Sequence, residues 1–328
     1  MNKPLRKALL ILLFVGASGP VFAAGSAEAR ELLERMATAM SQLSYQGTFV
    51  YVRDGDGAVE TMRITHVMDK KGVRERLYSV SGPRREVIRD REGVRCILKD
   101  SAAVEENMVV SDSYFPELPQ SLFDNKVSGY QLKTGGKARI AGLTARLVTI
   151  RPEDGFRYGY DFWLEEETGL LLKWVLFKRD HKALAKLMFT ELVVGEGVDL
   201  AELESESPAG DFVALRTISP AKNVAVDSTP RWQPDNLPPG FQLASHRQEI
   251  NADGVFEHMV YSDGLAAVSV YVEQQGGEAA MSQGISRMGT NNAYSTRQGD
   301  LQITVIGEVP AVTVKSIATG MASAVASN

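Results

Sequence analysis

Between Tyr45 and Val194 the chain is a close series of short, alternating apolar stretches separated by turn-forming residues. Tyr45–Arg53 (YQGTFVYVR) is rich in aromatic and β-branched residues and stops at Asp54-Gly55-Asp56-Gly57, and Glu60–Met68 returns from that turn. Leu77–Val80, Glu86–Arg89, Arg95–Lys99, Gln131–Lys133, Ala138–Ile140 and Ala145–Arg151 continue the series. Arg157–Leu164 and Leu170–Lys178 form a hairpin around Glu165-Glu166-Glu167-Thr168-Gly169, and Ala185–Val194 is a last strand. This spacing leaves no room for the crossover helices that parallel strands need. The strands are therefore expected to pair antiparallel in one large sheet that curls or closes.

The flanks divide the rest of the chain. Lys3, Arg6 and Lys7 precede the short apolar run Ala8–Val15, and Val21-Phe22-Ala23 is a small-x-small cleavage site. Residues 1–23 are expected to be a secretory signal peptide, and no Cys follows the cut to open the bacterial lipoprotein route. No later stretch is long and apolar enough to span a bilayer, so an exported protein of the periplasm is expected. Ser26 is expected to cap a helix carrying Leu32, Met36, Met40 and Leu43 on one face. Residues 24–205 then form the large β domain, and 206–230, where prolines gather and periodicity fades, form a linker. Residues 231–322 form a small α+β domain. Its strands are Phe241–Ile250, Val255–Ser262, Ala267–Glu273 and Leu301–Gly307. A short helix is expected around Met281, Ile285 and Met288, and a terminal one after Val309-Pro310.

Catalytic signatures are absent: there is no G-x-S-x-G, P-loop, G-x-G-x-x-G or H-E-x-x-H. His66, His181, His246 and His258 lack metal-ligand spacing, and the Glu165–Glu167 run reads as a solvated turn. Cys96, the one cysteine, alternates with Val94 and Leu98 and reads as a buried structural thiol; alone it forms no intramolecular disulfide. A formal net charge of −5 argues against a nucleic-acid partner. No catalytic residue, metal ligand or cofactor is assigned.

Two clusters remain. Phe49 and Tyr51 share one strand face, and Tyr158, Tyr160, Phe162 and Leu164 share another. In a curved sheet such residues either line a cavity for an apolar ligand or pack the core against the N-terminal helix. Gly82-Pro83-Arg84-Arg85-Glu86-Val87 places two arginines at a turn. There they either recognise carboxylate or phosphate groups or form a solvated, salt-bridged edge.

Seven stretches in this order resemble the RseB/MucB family of periplasmic regulators of the sigma-E envelope-stress response. They are Tyr45–Tyr51 (YQGTFVY), Gly82–Ile88 (GPRREVI), Asp154–Tyr160 (DGFRYGY) leading to Trp163, Thr168–Leu172 (TGLLL), Leu237–Phe241 (LPPGF), Tyr261–Leu265 (YSDGL) and Val305–Pro310 (VIGEVP). Before the arginines the chain reads Tyr78-Ser79-Val80-Ser81 rather than the family's Leu-Asp-type approach. The resemblance implies a mainly β, α+β protein. Its large domain would be an unclosed antiparallel β-barrel with covering helices, similar to lipoprotein carriers, joined to a small α+β domain. It implies a negative regulator without enzyme activity. Such a regulator binds the periplasmic part of a single-span anti-sigma factor, protects it from regulated proteolysis, and senses lipid or lipopolysaccharide. On that reading Phe49, Tyr51, Tyr158, Tyr160 and Phe162 line the lipid cavity, and Arg84, Arg85, Trp232, Tyr261, Ser262 and Asp263 meet the partner. The alternatives are a lipoprotein or lipid carrier and a periplasmic hydrolase with an unrecognised site. The sequence leaves the oligomeric state open, a homo-oligomer included.

Overall fold

The alternating stretches of the first two thirds build one continuous sheet. The computed structural model describes residues 21–54, 57–70, 72–82, 84–98, 114–116, 118–124, 128–205, 213–215, 229–251, 254–274 and 283–323. Residues 1–20, most of the expected signal peptide, lie outside them. Helix α1 (Val21–Gln42) is followed by β1 (Tyr45–Arg53), β2 (Val59–Asp69), β3 (Gly72–Ser81), β4 (Arg85–Asp90) and β5 (Gly93–Leu98). After the one-turn helix α2 (Gln120–Phe123) come β6 (Tyr130–Ile140), β7 (Leu143–Pro152), β8 (Gly159–Glu165), β9 (Leu171–Phe177), β10 (Ala183–Val194) and β11 (Val213–Leu215). All pairings are antiparallel, in the order β11-β5-β4-β3-β2-β1-β10-β9-β8-β7-β6. The sheet begins at β11 and ends at β6, so it curls without closing, as expected of an open barrel.

Its inner face is apolar because the strands alternate. Tyr45, Phe49, Met62, Ile64, Val148, Ile150, Phe162, Leu164, Leu187 and Phe189 are buried there, against Ala29, Leu33, Met36 and Ala39 of α1. Hydrogen bonds fasten α1 across the sheet: the Thr134 hydroxyl donates to Glu28 (3.0 Å), and Arg35 donates to the carbonyls of Glu166 (3.3 Å) and Glu167 (3.2 Å). Gly47 serves this packing, since a Cβ there would lie 2.5 Å from the Glu191 carbonyl and 2.9 Å from the Phe189 ring.

Two local expectations are corrected in this domain. The helix starts at Val21, so Ser26 lies within it and does not cap it; two alanines upstream continue the helix. Gln131–Lys133 and Ala138–Ile140 belong to one strand, β6, whose register shifts between Thr134 and Lys137 at Gly135-Gly136. The glycine pair reads as a break in sequence but is an irregularity within a strand. Within the expected linker, Val213–Leu215 pairs with β5; residues 206–212 and 216–228 lie outside the described ones.

The remaining strands form a second sheet in the order β13-β14-β15-β18-β17-β16. They are β13 (Gln242–Asn251), β14 (Gly254–Ser262), β15 (Ala267–Gln274), β16 (Gly284–Met288), β17 (Asn291–Gln298) and β18 (Leu301–Gly307). A short pair, β12 (Trp232–Pro234) with β19 (Met321–Ser323), closes one side. Helix α3 (Ala311–Thr319), with Pro310 before its first residue, lays Val314, Ile317 and Ala318 on Met259, Val268, Val270, Val272, Ile303 and Val305. Gly284–Met288 is an edge strand, not the short helix expected from Ile285 and Met288. Both residues are exposed, so their helical spacing reflects no buried face. Met281 lies outside the described residues. Strand β17 (NNAYSTRQ) escaped the sequence reading because it is polar.

Leu33 is fully buried under the large sheet. Leu33→Ala is expected to destabilise the protein by about 2–5 kcal/mol. Urea unfolding checks this: the midpoint should fall with little change in slope.

Candidate functional site

The aromatic residues singled out in the sequence fall into two places. Phe49 and Phe162 are fully buried and Tyr51 is half-buried, all in the large core. Phe49 meets Tyr114, Phe115 and Phe189, each with ring centroids 5.5 Å apart, and Tyr51 meets Tyr114 at 5.1 Å and Trp174 at 6.0 Å. The Trp174 indole donates to the Tyr114 carbonyl at 2.9 Å. Leu118, Leu122 and Phe123 extend this contact, so the inner aromatic face is covered by the segment around Tyr114–Phe123 as well as by α1. Sequence reading missed this cover, because residues between Lys99 and Gly129 carry no clear period.

Tyr158 and Tyr160 instead reach the rim, where the second sheet docks. The Tyr158 hydroxyl accepts from Asn292 Nδ2 at 2.9 Å, and the same amide donates to the Val309 carbonyl at 2.6 Å. Tyr160 stacks on Phe162 at 5.4 Å, and its hydroxyl donates to Glu308 Oε2 at 3.0 Å. The Thr313 hydroxyl donates to the Phe156 carbonyl at 2.8 Å.

Arg157 is at the centre of this seam, with its side chain entirely buried. Its Nε lies 3.0 Å from Asp263 Oδ2, also entirely buried, and 3.6 Å from Asp154. Nη1 donates to the Ser128 carbonyl at 2.7 Å, and Nη2 donates to the Pro239 carbonyl of the second unit. The guanidinium lies 5.2 Å from the Tyr130 ring centroid and 5.3 Å from that of Phe241, while the Tyr130 hydroxyl donates to Asp263 at 3.0 Å. Gly129, at φ +84°, is required at this point, because a Cβ would overlap Arg157 Nη1. Asp263 also closes its own turn, accepting from the amides of Leu265 (2.8 Å) and Ala266 (2.7 Å). Four of the seven family-like stretches thus meet at one place: DGFRYGY, LPPGF, YSDGL and VIGEVP. Arg157, Tyr130, Glu308 and Asn292 were not assigned roles from sequence, although Arg157 and Glu308 sit inside those stretches.

The residues expected to meet a partner do not form one patch. Tyr261 and Asp263 are buried, and the Ser262 hydroxyl donates to the Ala266 carbonyl at 2.9 Å within its turn. Trp232 is half-buried against the second core. Arg84 is exposed. Arg85 is half-buried on the large sheet, where it donates to the Tyr114 hydroxyl at 3.2 Å; that hydroxyl in turn donates to Glu60 at 2.6 Å. Glu165 is buried rather than solvated, accepting from the Thr168 hydroxyl at 2.7 Å. Cys96 pairs through its backbone with Val87 and Val213; its side chain lies outside the described ones. Among the described residues there is no cluster of three His, Cys, Asp or Glu that could hold a metal ion, and no helix long and apolar enough to cross a membrane.

Burial raises the pKa of the seam's hydroxyls and carboxyl. Tyr130 and Tyr160 stand well above the usual tyrosine value, through burial first and then the facing Asp263 and Glu308. Burial also raises the Tyr158 hydroxyl and pushes Tyr261 up to about 12. Glu308 is raised by burial, partly offset by hydrogen bonds from Thr290 and Tyr160.

The description "MucB/RseB N-terminal domain" matches residues 28–207, and "MucB/RseB C-terminal domain" matches residues 226–322. The chain belongs to the MucB/RseB family. It is 34% identical to the Sigma factor AlgU regulatory protein MucB of Pseudomonas aeruginosa, over 94% of this chain and 95% of that one. It is 27% identical to the Sigma-E factor regulatory protein RseB of Haemophilus influenzae, over 88% of this chain and 89% of that one. The solved complex of Pseudomonas aeruginosa MucA and MucB matches with a TM-score of 0.69 and 28% identity, over 91% of this chain and 100% of that one. A MucB structure matches at 0.61 with 30% identity, over 91% and 99%. These MucB/RseB relatives are regulatory proteins, not enzymes.

Two outcomes follow from the seam. Asp263→Asn leaves a buried guanidinium without its main counter-charge and is expected to cost about 3–5 kcal/mol in equilibrium unfolding. Glu308 holds its proton more tightly folded than unfolded. Its contribution therefore falls as pH rises from the ordinary carboxylate value of 4.5 through the higher folded value. Glu308→Gln should flatten that decline when unfolding free energy is measured from about pH 4 to about pH 7.

Proposed function

We propose that this chain is a periplasmic negative regulator of a sigma-E-type envelope-stress response. It binds the periplasmic part of a single-span anti-sigma factor, shields it from regulated proteolysis, and releases it when a lipid or lipopolysaccharide binds. The observation that carries this reading is kinship with MucB along almost the whole chain, including a MucB structure solved in complex with MucA. The signal-like residues 1–23 support export. We take the functional division to be 24–205, a linker at 206–230, and 231–322.

The geometry supports the lipid arm in a specific way. The inner face that carries Phe49, Tyr51 and Phe162 is covered by Tyr114 and Phe115. An acyl chain that displaces these two rings gains about 0.8 kcal/mol per buried methylene. Tyr158 and Tyr160 continue the same strand face to the seam, so events on the inner face reach the docking of the second sheet through adjacent side chains. A ligand that prefers one arrangement of the two sheets shifts the population toward it, and partner affinity follows. Exposed Arg84 and half-buried Arg85, Trp232 and Ser262 are the assigned residues left accessible to a partner; buried Tyr261 and Asp263 act by holding the surfaces that carry them.

A second reading, lipid carriage, is favoured by the same aromatic face. Calorimetry with the periplasmic segment of the host's anti-sigma factor, with and without lipid A, separates the two. The regulator reading predicts tight binding that weakens at least tenfold with lipid A, about 1.4 kcal/mol. No binding in either condition overturns it and favours carriage.

A further inference from the structure

We infer that the cavity between the two sheets is a binding site for a primary ammonium group of the lysine side-chain type. The cavity holds about 50 Å³ and is lined by Tyr130, Tyr158, Tyr160 and Glu308 together with the Leu265–Ala267 turn. A water needs about 10–15 Å³, so there is room for an ammonium and the one or two methylenes behind it. The lining combines three aromatic rings and one carboxylate, the chemistry that recognises organic cations by ring quadrupole and charge together. One of these rings already meets a cation, since the Arg157 guanidinium lies 5.2 Å from the Tyr130 centroid.

Charge favours the same ligand. Glu308 is held by the neutral hydroxyls of Tyr160 and Thr290, and no ion pair to it is found among the described residues. Around it, Arg157 already faces two carboxylates, partly exposed Asp154 (3.6 Å) and buried Asp263 (3.0 Å), and leaves Glu308 unmatched. The exposed Arg287 acts on Tyr158 but does not line the cavity. A desolvated carboxylate without a counter-ion is costly, and an arriving ammonium relieves that cost. Among the described residues the cavity lining carries no cation for a phosphate, which separates a lysine-type amine from a phospholipid amine headgroup. The inference does not rest on the proposed function.

The test is a titration of the purified protein with n-butylammonium, followed by the NMR signals of the tyrosine rings. Comparison titrations use 1-butanol, an uncharged isostere, and phosphoethanolamine. The expected result is saturable shifts of Tyr158 and Tyr160 with butylammonium, and at least tenfold weaker binding of both comparison compounds. Glu308→Gln should weaken butylammonium at least tenfold. Ala267→Leu, at an exposed position on the cavity wall, should abolish binding while leaving Glu308 and its hydrogen bonds in place; it decides the matter if the glutamine variant does not fold. Equal binding of butanol and butylammonium, tighter binding of phosphoethanolamine, unchanged affinity in a folded variant, or no saturable shift would each overturn the proposal.

Discussion

Arg157, from the connection between β7 and β8, and Asp263, from the turn between β14 and β15, are two opposite charges removed entirely from water. Desolvating such a pair is expensive, and attraction alone does not guarantee repayment. The guanidinium also donates to two carbonyls, one on each side of the seam, and two aromatic rings lie against it. This set of partners is available only when both sheets are in place. The pair therefore acts less as a source of stability than as a register mark that selects one docking of the second sheet against the large one. Tyr158–Asn292, Tyr160–Glu308 and Thr313–Phe156 are hydrogen bonds of ordinary length, and they form only in that docking.

The same stretch of chain that delivers Arg157 to the seam also lines the core. From Tyr158 to Leu164 the inward residues leading into and along β8 pass from rim hydroxyls that touch the second sheet to fully buried Phe162 and Leu164. Moving Phe162 to admit a ligand disturbs Tyr160, stacked on it with an interplanar angle of only 6°. This gives the proposed lipid sensing a physical route: contact from the covered inner face to the seam within one strand.

Much of the fold was legible because strands with one buried face announce themselves by alternation. All ten strands from β1 to β10 were found, with β6 split at Gly135-Gly136. The misses share a cause. β17 is polar on both faces, β11, β12 and β19 are three residues each, and β16 exposes Ile285 and Met288, so none carries the amphipathic signal that pattern reading needs. The site was legible only as motifs. Alternation placed Phe49, Tyr51, Tyr160 and Phe162 on common faces, and the large core includes them all. It gave no hint that Asp263 turns inward to Arg157, because a charge at a Ser-Asp-Gly turn reads as solvated until its partner, far away in the chain, is known. Tyr114 and Phe115 were invisible for a related reason: their segment has no period, and its burial exists only once the sheet has curled.

The ordering role of the buried pair can be read directly as a distance. Spin labels on exposed Val80 of the large sheet and exposed Val312 of the second unit, in a Cys96→Ser background, report the separation of the two by pulsed electron paramagnetic resonance. If the Arg157–Asp263 pair sets the docking, the distribution is narrow in the otherwise native protein and broadens or moves in Asp263→Asn. An equally narrow, unshifted distribution in that variant would contradict a docking role for the pair.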